Sequence, residues 1–224
     1  MSTRRALFLL SLLFLLSLSS FSREARAEAA TASPAGDPEA VRRDFTAYKN
    51  ALIDKDGAAA AKLVTGNSLR KYDQLRQLAL SGTREDLEKL SDVDRRLALV
   101  LRLRTPLELL RSGSPADLIA HAVSTGKTGS SVERAELGDI AFESGRASAE
   151  IRMGVRPVLG TFLFRQEDGL WKFDLEHALD MSRGSFTAEA EKKKVSEDDL
   201  ILQSLSNDGK PVGPEVWKPL IAKP

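Results

Sequence analysis

The sequence predicts an α+β protein in which N-terminal helices pack on an antiparallel sheet, with a C-terminal helical extension. Helix start signals recur between residues 37 and 124, and the hydrophobic period changes at Gly126. Beyond Gly126, four segments of strand length follow one another and are separated by short turns. We therefore expect one folded domain over residues 37–182 and an extension over 183–224.

The first helix begins at Asp37-Pro38-Glu39, because Asp caps a helix, Pro suits its first position and an acid suits its first turn. Apolar side chains then recur at helical spacing; they are Val41, Phe45, Tyr48 and Leu52. Residues 54–57, Asp-Lys-Asp-Gly, break this helix, and Asp56 can cap a short second helix from Ala58 to Val64. The two helices are predicted to form a hairpin.

Residues 68–124 predict a series of short capped helices. Thr83 and Ser91 each precede an Asp by three residues, which is the spacing of a capping box. Thr105 and Ser114 each stand before a Pro, a pattern typical of a helix start. The N-terminal half is therefore predicted to be helical.

The predicted strands cover residues 132–140, 147–155, 158–165 and 170–176. Turn sequences at 144–146 and 167–169 predict tight hairpins, so the sheet should be a meander. Alternation places one group on the inner face: Ala147, Ala149, Ile151, Met153, Val155, Trp171, Phe173 and Leu175. A charged group should lie on the wetter face: Glu150, Arg152, Lys172, Asp174 and Glu176. Ordinary cross-strand ion pairs are one interpretation of these charges, and a recognition surface containing Arg152 and Asp174 is the other.

In the extension, a charged helix is predicted to start at Ser185, and its apolar side chains between Val195 and Leu205 should dock on the domain. The tail that follows contains Trp217, a side chain that is costly to leave in water. We expect Trp217 to anchor the tail on its own chain. The alternative is that the tail docks on a partner or on a second subunit.

The N-terminal residues have the pattern of a secretory signal peptide. Arg4 and Arg5 precede an apolar run from Ala6 to Leu18, which is shorter than the roughly 20 residues that span a bilayer. Ala25-Arg26-Ala27 fits a signal peptidase, so cleavage is predicted after Ala27, with a spacer over residues 28–36. The protein is therefore expected in the periplasm or secreted, with no stable membrane span after cleavage. The general secretory route fits better than the twin-arginine route, which the Arg pair also resembles.

Composition excludes several classes of protein. The 224 residues include no Cys and two His, and 33 Lys and Arg stand against 32 Asp and Glu. The lack of Cys excludes disulfide scaffolds and thiolate metal sites. The even charge balance gives no general basic face for nucleic acid, and the basic run at 192–194 is interpreted as a solvated helix face. We expect no nucleic-acid partner, no metal and no cofactor.

The closing segment 166–175, Gln-Glu-Asp-Gly-Leu-Trp-Lys-Phe-Asp-Leu, and the turn 54–60, Asp-Lys-Asp-Gly-Ala-Ala-Ala, resemble the nuclear transport factor 2-like superfamily. This superfamily includes the SnoaL-like and ketosteroid isomerase-like proteins, and the chain is similar to an exported bacterial member over roughly residues 38–180. The resemblance implies a cone in which a curved sheet wraps the first helix and leaves an apolar pocket between them. Such pockets are the default ligand site.

The polar candidates for that pocket are Tyr48, Tyr72, Thr161 and His121. Each can equally be a core residue with one satisfied polar atom. Family enzymes place an acidic base and a hydrogen-bond donor in the pocket, but these roles match no positions of this sequence, so catalytic residues stay unknown. Residues 121–128 lack the first Gly of a phosphate loop, and the sequence has no Gly-x-Ser-x-Gly or His-Glu-x-x-His motif.

Three functions fit these observations. The leading hypothesis is an exported, non-catalytic module that binds an apolar small molecule or a protein partner in the cell envelope. The first alternative is an enzyme of the isomerase, cyclase or dehydratase kind, with an acid-base group inside the pocket. The second alternative is a homodimeric scaffold of an envelope complex that associates through the charged sheet face.

Overall fold

The computed structural model describes residues 36–126, 132–154, 156–206 and 211–222. Within these residues the helices are α1 (Pro38–Ile53), α2 (Gly57–Lys62), α3 (Gly66–Ser81), α4 (Arg84–Glu88), α5 (Asp92–Arg104), α6 (Leu107–Ser112), α7 (Pro115–Ser124), α8 (Leu175–Asp180), α9 (Ser185–Lys193) and α10 (Glu197–Leu205). The strands, which lie between α7 and α8, are β1 (Ala135–Glu143), β2 (Arg146–Met153), β3 (Arg156–Glu167) and β4 (Leu170–Phe173). This architecture confirms the α+β class. The predicted signal peptide, and the spacer up to residue 35, lie outside the described residues.

Helix α1 packs on the inner face of the sheet. Its predicted apolar stripe is buried; the stripe consists of Val41, Phe45, Tyr48 and Leu52. The ring of Phe45 lies 5.6 Å from the ring centres of both Phe162 and Phe164 and 5.8 Å from that of Phe173. Tilted and edge-on ring contacts at this spacing are favourable. An aromatic cluster therefore occupies the space between α1 and the strands.

Most of the predicted helix starts are confirmed. The side chains of Asp37, Asp56, Thr83, Ser91 and Ser114 each accept a main-chain hydrogen bond from the first turn of a helix. Thr105 is the exception, because its N–H still donates to the main-chain oxygen of Leu101 and ends α5 instead. Pro106 then takes the capping position of α6, which has no side-chain cap.

The sheet is the predicted antiparallel meander, in the order β1-β2-β3-β4. Each of two hairpin loops has both of its residues at positive φ: Ser144 and Gly145 at 45° and 75°, and Asp168 and Gly169 at 54° and 76°. These are the angles that two-residue hairpins need. The inner-face alternation is confirmed at Ala147, Ala149, Ile151, Trp171 and Phe173, all of which are buried. Val155 lies outside the described residues.

The last strand ends earlier than predicted, and this changes the position of Asp174. Strand β4 ends at Phe173. The Asp174 side chain caps α8 by accepting a 3.1 Å hydrogen bond from the main-chain N–H of His177. Its carboxylate also lies 3.3 Å from Nε of Arg165, and the side chain is 5% exposed. The prediction that Asp174 lies on the wet face with Arg152 is therefore wrong. Leu175 and Glu176, predicted as strand residues, begin α8.

Side chains of α1 cover both edges of the sheet. At one edge, Arg42 donates to the main-chain oxygens of Leu137 and Gly138, and Lys49 donates to that of Ala135. At the other edge, the Asp44 carboxylate accepts a 2.8 Å hydrogen bond from the main-chain N–H of Trp171. Because unpaired edge groups invite association with other chains, these contacts protect the described sheet and bind it to the helical half.

The extension docks on the domain as predicted, but as two helices. Lys194 has φ of 56°, which ends α9, and Ser196 caps α10. The side chains of Ile201 and Leu205 are buried in the same core as the helices of the first half. Trp217 is 5% exposed and lies under the guanidinium of Arg84, 5.0 Å from the ring centre. The tail is therefore anchored on its own chain, as expected.

Candidate functional site

The candidate site is a cavity of about 370 Å³ among the helices. Its walls come from α5, α7 and α8, and its further lining includes one Tyr each from α1 and α3. No residue of β1–β4 in the described part of the chain lines it. The pocket implied by the family resemblance would lie between the sheet and the first helix, where the aromatic rings around Phe45 pack instead.

Helical periodicity explains how the walls form. On α5, Arg96, Val100 and Arg104 recur every four residues and therefore share one face. On α8, Leu175, Ala178 and Leu179 recur at the spacing of an apolar stripe. The small side chains of Ala122 and Ala178 leave room between the walls. Most of the lining side chains are apolar.

Tyr48 and Tyr72, two of the predicted pocket residues, both line the cavity. Burial raises the pKa of Tyr72 to about 12. Burial also raises the pKa of Tyr48, and the neighbouring Tyr72 raises it further. Both phenols therefore stay protonated at neutral pH and offer hydroxyl hydrogens to a ligand.

His121 also lines the cavity, but Thr161 does not. The Nε2 atom of His121 lies 3.4 Å from the main-chain oxygen of Arg104, which holds the ring against the end of α5. Thr161 lies on β3, and its main-chain oxygen is 3.0 Å from Nε2 of His177 on α8. Thr161 thus helps to position α8 rather than to line the cavity.

Arg96 and Arg104 are the charged residues of the described lining, and neither was predicted from the sequence. Burial lowers the pKa of Arg96, and the positive charge of Arg104 lowers it further. An Arg remains protonated at neutral pH even so. No Asp or Glu stands among the described residues of the lining. One sequence pattern could have indicated Arg96 and Arg104: the two side chains lie on a helix face that also carries the apolar Val100.

The predicted interface residues lie in different surroundings. Arg152 is on the exposed face, where its side chain is 45% exposed and its guanidinium is 3.5 Å from Glu150 and 4.0 Å from Asp139. Asp174 and Trp217 are buried. The structure therefore does not bring these three residues together on one surface.

The described residues contain no group of three His, Asp or Glu side chains placed to hold a metal ion. None of the helices in this part of the chain combines the length and the apolar character that crossing a membrane requires.

Comparison of the chain with protein-family models, with curated proteins and with solved structures gave no match.

Proposed function

We propose that this chain is an exported, non-catalytic module of the cell envelope, periplasmic or secreted, and that it binds a small, largely apolar molecule in the cavity. The observation that carries the proposal is the cavity itself. Its volume of about 370 Å³ lies within the range of small-molecule sites, roughly 300–1,000 Å³. Apolar walls with a few convergent polar groups are typical of such sites.

The lining supports binding rather than acid-base catalysis. An isomerase, cyclase or dehydratase needs a base placed at the proton to be removed. The described lining contains no carboxylate, and its two phenols stay protonated at neutral pH. The enzyme alternative would depend on His121, whose Nε2 faces a main-chain oxygen of α5.

The proposal also assigns the chain to the nuclear transport factor 2-like superfamily. A helix lying on the inner face of a four-stranded meander supports this assignment, as does the charged hairpin turn at Asp168-Gly169 before β4. In this chain the additional helices between residues 66 and 124 then form the ligand site together with α8. The core between α1 and the sheet serves stability.

Native mass spectrometry of the protein isolated gently from its own envelope fraction tests this function. We expect a monomer that begins at Glu28 and carries a small adduct. Ala122→Phe should remove the adduct by filling the cavity, whereas Ala188→Phe, on the exposed face of α9, should keep it. A wild-type monomer without an adduct would contradict the proposal.

A retained protein, or an oligomer, would favour the partner alternative instead. One surface supports that alternative: at the start of β3, the side chain of Leu159 is fully exposed and that of Val158 is 42% exposed. Exposed apolar side chains in sequence can mark a contact site.

A further inference from the structure

Two cationic side chains share one wall of a largely apolar cavity. Arg96 and Arg104 lie on the same face of α5, and the apolar residues Leu97, Val100 and Leu101 of that helix also line the cavity. Like charges that share a partly buried site repel each other, and burial removes part of their hydration. An anion beside Arg96 would relieve both costs.

The contacts of Arg96 contrast with those of its neighbour Arg95. The guanidinium of Arg95 forms ion pairs of 3.1 and 3.0 Å with Glu197 and Asp198 on α10. Among the described residues, Arg96 has no ion pair: its Nε donates a 2.9 Å hydrogen bond to the neutral Ser204 hydroxyl, and its guanidinium lies 5.7 Å from the Phe186 ring centre. These contacts orient the Arg96 head group, and no carboxylate of the described residues pairs with its charge.

Arg104 also contacts α10. Its Nη2 donates a 3.0 Å hydrogen bond to the main-chain oxygen of Leu205, the last residue of α10. The carbonyl end of a helix carries partial negative charge, so this contact is favourable for the Arg104 guanidinium.

The remaining polar groups of the cavity are compatible with an anion. Tyr48 and Tyr72 offer phenol hydrogens, and His121 offers a ring nitrogen. A guanidinium binds carboxylate and phosphate groups through parallel hydrogen bonds, which gives it a preference for planar or multi-oxygen anions. The apolar walls suit a hydrocarbon body.

From this arrangement we propose that the ligand is an amphipathic anion whose acidic head group, a carboxylate or a phosphate, is held by Arg96, at the wall that Arg104 shares, while its apolar body lies along α7 and α8. This proposal rests on the proposed function, since it concerns the same cavity. It adds the chemical class of the ligand and names Arg96 as the residue that recognises its charge.

Four probes with the same eight-carbon chain test the proposal: octanoate, octyl phosphate, 1-octanol and octyltrimethylammonium. Binding to the full chain is measured by isothermal titration, with methyl NMR signals of Ile119, Ala122 and Ala178 reporting occupation of the cavity. At least one of the two anions should bind about tenfold more tightly than 1-octanol, because a charge-assisted hydrogen bond contributes at least the 1.4 kcal/mol that a factor of ten represents. The cationic probe should bind most weakly.

The variants locate the charge recognition. Arg96→Gln should weaken binding of the favoured anion about tenfold and leave 1-octanol unchanged, and Arg96→Lys should retain part of the preference. Arg111→Gln is the matched control, since Arg111 lies on the exposed side of α6, outside the cavity. If Arg96→Gln does not fold, the order of the four probes on the wild-type chain decides the question alone.

The outcomes separate the two proposals. If 1-octanol binds as tightly as both anions, the ligand class is wrong while the apolar binding site stands. If none of the four probes moves the cavity methyl signals, the binding site itself is contradicted, and the ligand class with it. Tighter binding of an anion than of 1-octanol, with this preference lost in Arg96→Gln, supports both the binding site and the ligand class. The anion that binds more tightly then distinguishes a carboxylate ligand from a phosphate ligand.

Discussion

Arg102 of α5 donates a hydrogen bond of 3.1 Å from Nη1 to the main-chain oxygen of Val216 in the C-terminal tail. The same guanidinium donates 2.8 Å hydrogen bonds to main-chain oxygens of Leu78, Ala79 and Gly82 at the end of α3. A buried cation is thus satisfied by carbonyl oxygens at a helix C-terminus, where the helix dipole is negative. Arg102 therefore links α3, α5 and the tail through four hydrogen bonds.

Arg102→Met should therefore destabilise the protein by about 3 kcal/mol, because it removes charge-assisted hydrogen bonds and leaves buried carbonyls without a partner. Urea unfolding measures the change. Arg111→Met, at an exposed position, should stay within about 0.5 kcal/mol of wild type. A free energy of unfolding for Arg102→Met that equals that of the control would show that the tail is held by other contacts.

Asp92 should make the stability of the protein dependent on pH in acid. Burial opposes ionisation of Asp92, but hydrogen bonds from main-chain N–H groups outweigh it and hold the pKa below its ordinary range; those from Gly184 and Phe186 are both 3.0 Å long. A lowered pKa in the folded state stabilises the protein above the unfolded-state pKa of about 4. This contribution is lost as the pH falls through the lower, folded-state pKa.

Asp92→Asn should cost about 1–2 kcal/mol at pH 6, since Asp92 caps the start of α9 from outside that helix. The difference from wild type should shrink as the pH falls below about 4. Urea unfolding between pH 6 and pH 2.5 measures both changes, with Asp139→Asn, whose side chain is 92% exposed, as the control. If the difference in unfolding free energy between wild type and Asp92→Asn stays constant over this pH range, the ionised Asp92 is not the source of the pH dependence.

Gly57 should not tolerate a side chain. A Cβ at this position would lie 2.0 Å from the main-chain oxygen of Ala120, because α2 crosses close to α7. Gly57→Ala must displace one of these helices, and we expect a cost of about 2–3 kcal/mol in thermal or urea unfolding. Gly66→Ala meets no atom closer than 3.6 Å and should be neutral or slightly stabilising. Equal stability of the two variants would contradict the close crossing.

Trp217→Ala tests the anchoring of the tail. Removal of this buried ring should cost about 3 kcal/mol in the free energy of unfolding of the monomer. Leu220→Ala, in the same tail but 41% exposed, should cost less than about 1 kcal/mol. If Trp217→Ala leaves the unfolding free energy unchanged but alters association, the tail serves a partner instead.

The scaffold alternative predicts that charge reversal on the sheet face disrupts a dimer. Asp174 is unsuitable for this test, since Asp174→Lys would bury a charge against Arg165 and unfold the protein. Arg152→Glu alone is suitable, and we expect it to leave both the fold and the sedimentation coefficient unchanged. A change in sedimentation without loss of structure would revive the scaffold alternative.

Local signals in the sequence determined much of the fold. The caps at Asp37, Asp56, Thr83 and Ser114, and the hairpin turns at 144–145 and 168–169, depend on contacts within a few residues. The buried faces of α1 and β2 followed from periodicity alone. Signals of this kind can be recognised without knowledge of what each element packs against.

Tertiary contacts decided the site. Asp174 became buried because the chain turns into α8 and Arg165 lies beside it, and neither fact is visible in the alternation of the strand. Arg96 and Arg104 face a cavity only because α7 and α8 pack beside α5 and leave a gap. The caps, turns and buried faces were thus determined by interactions between neighbours in sequence. The cavity and its charge depend instead on α5 (Asp92–Arg104) and α8 (Leu175–Asp180), which lie more than 70 residues apart along the chain. No local pattern encodes the contact between these two helices.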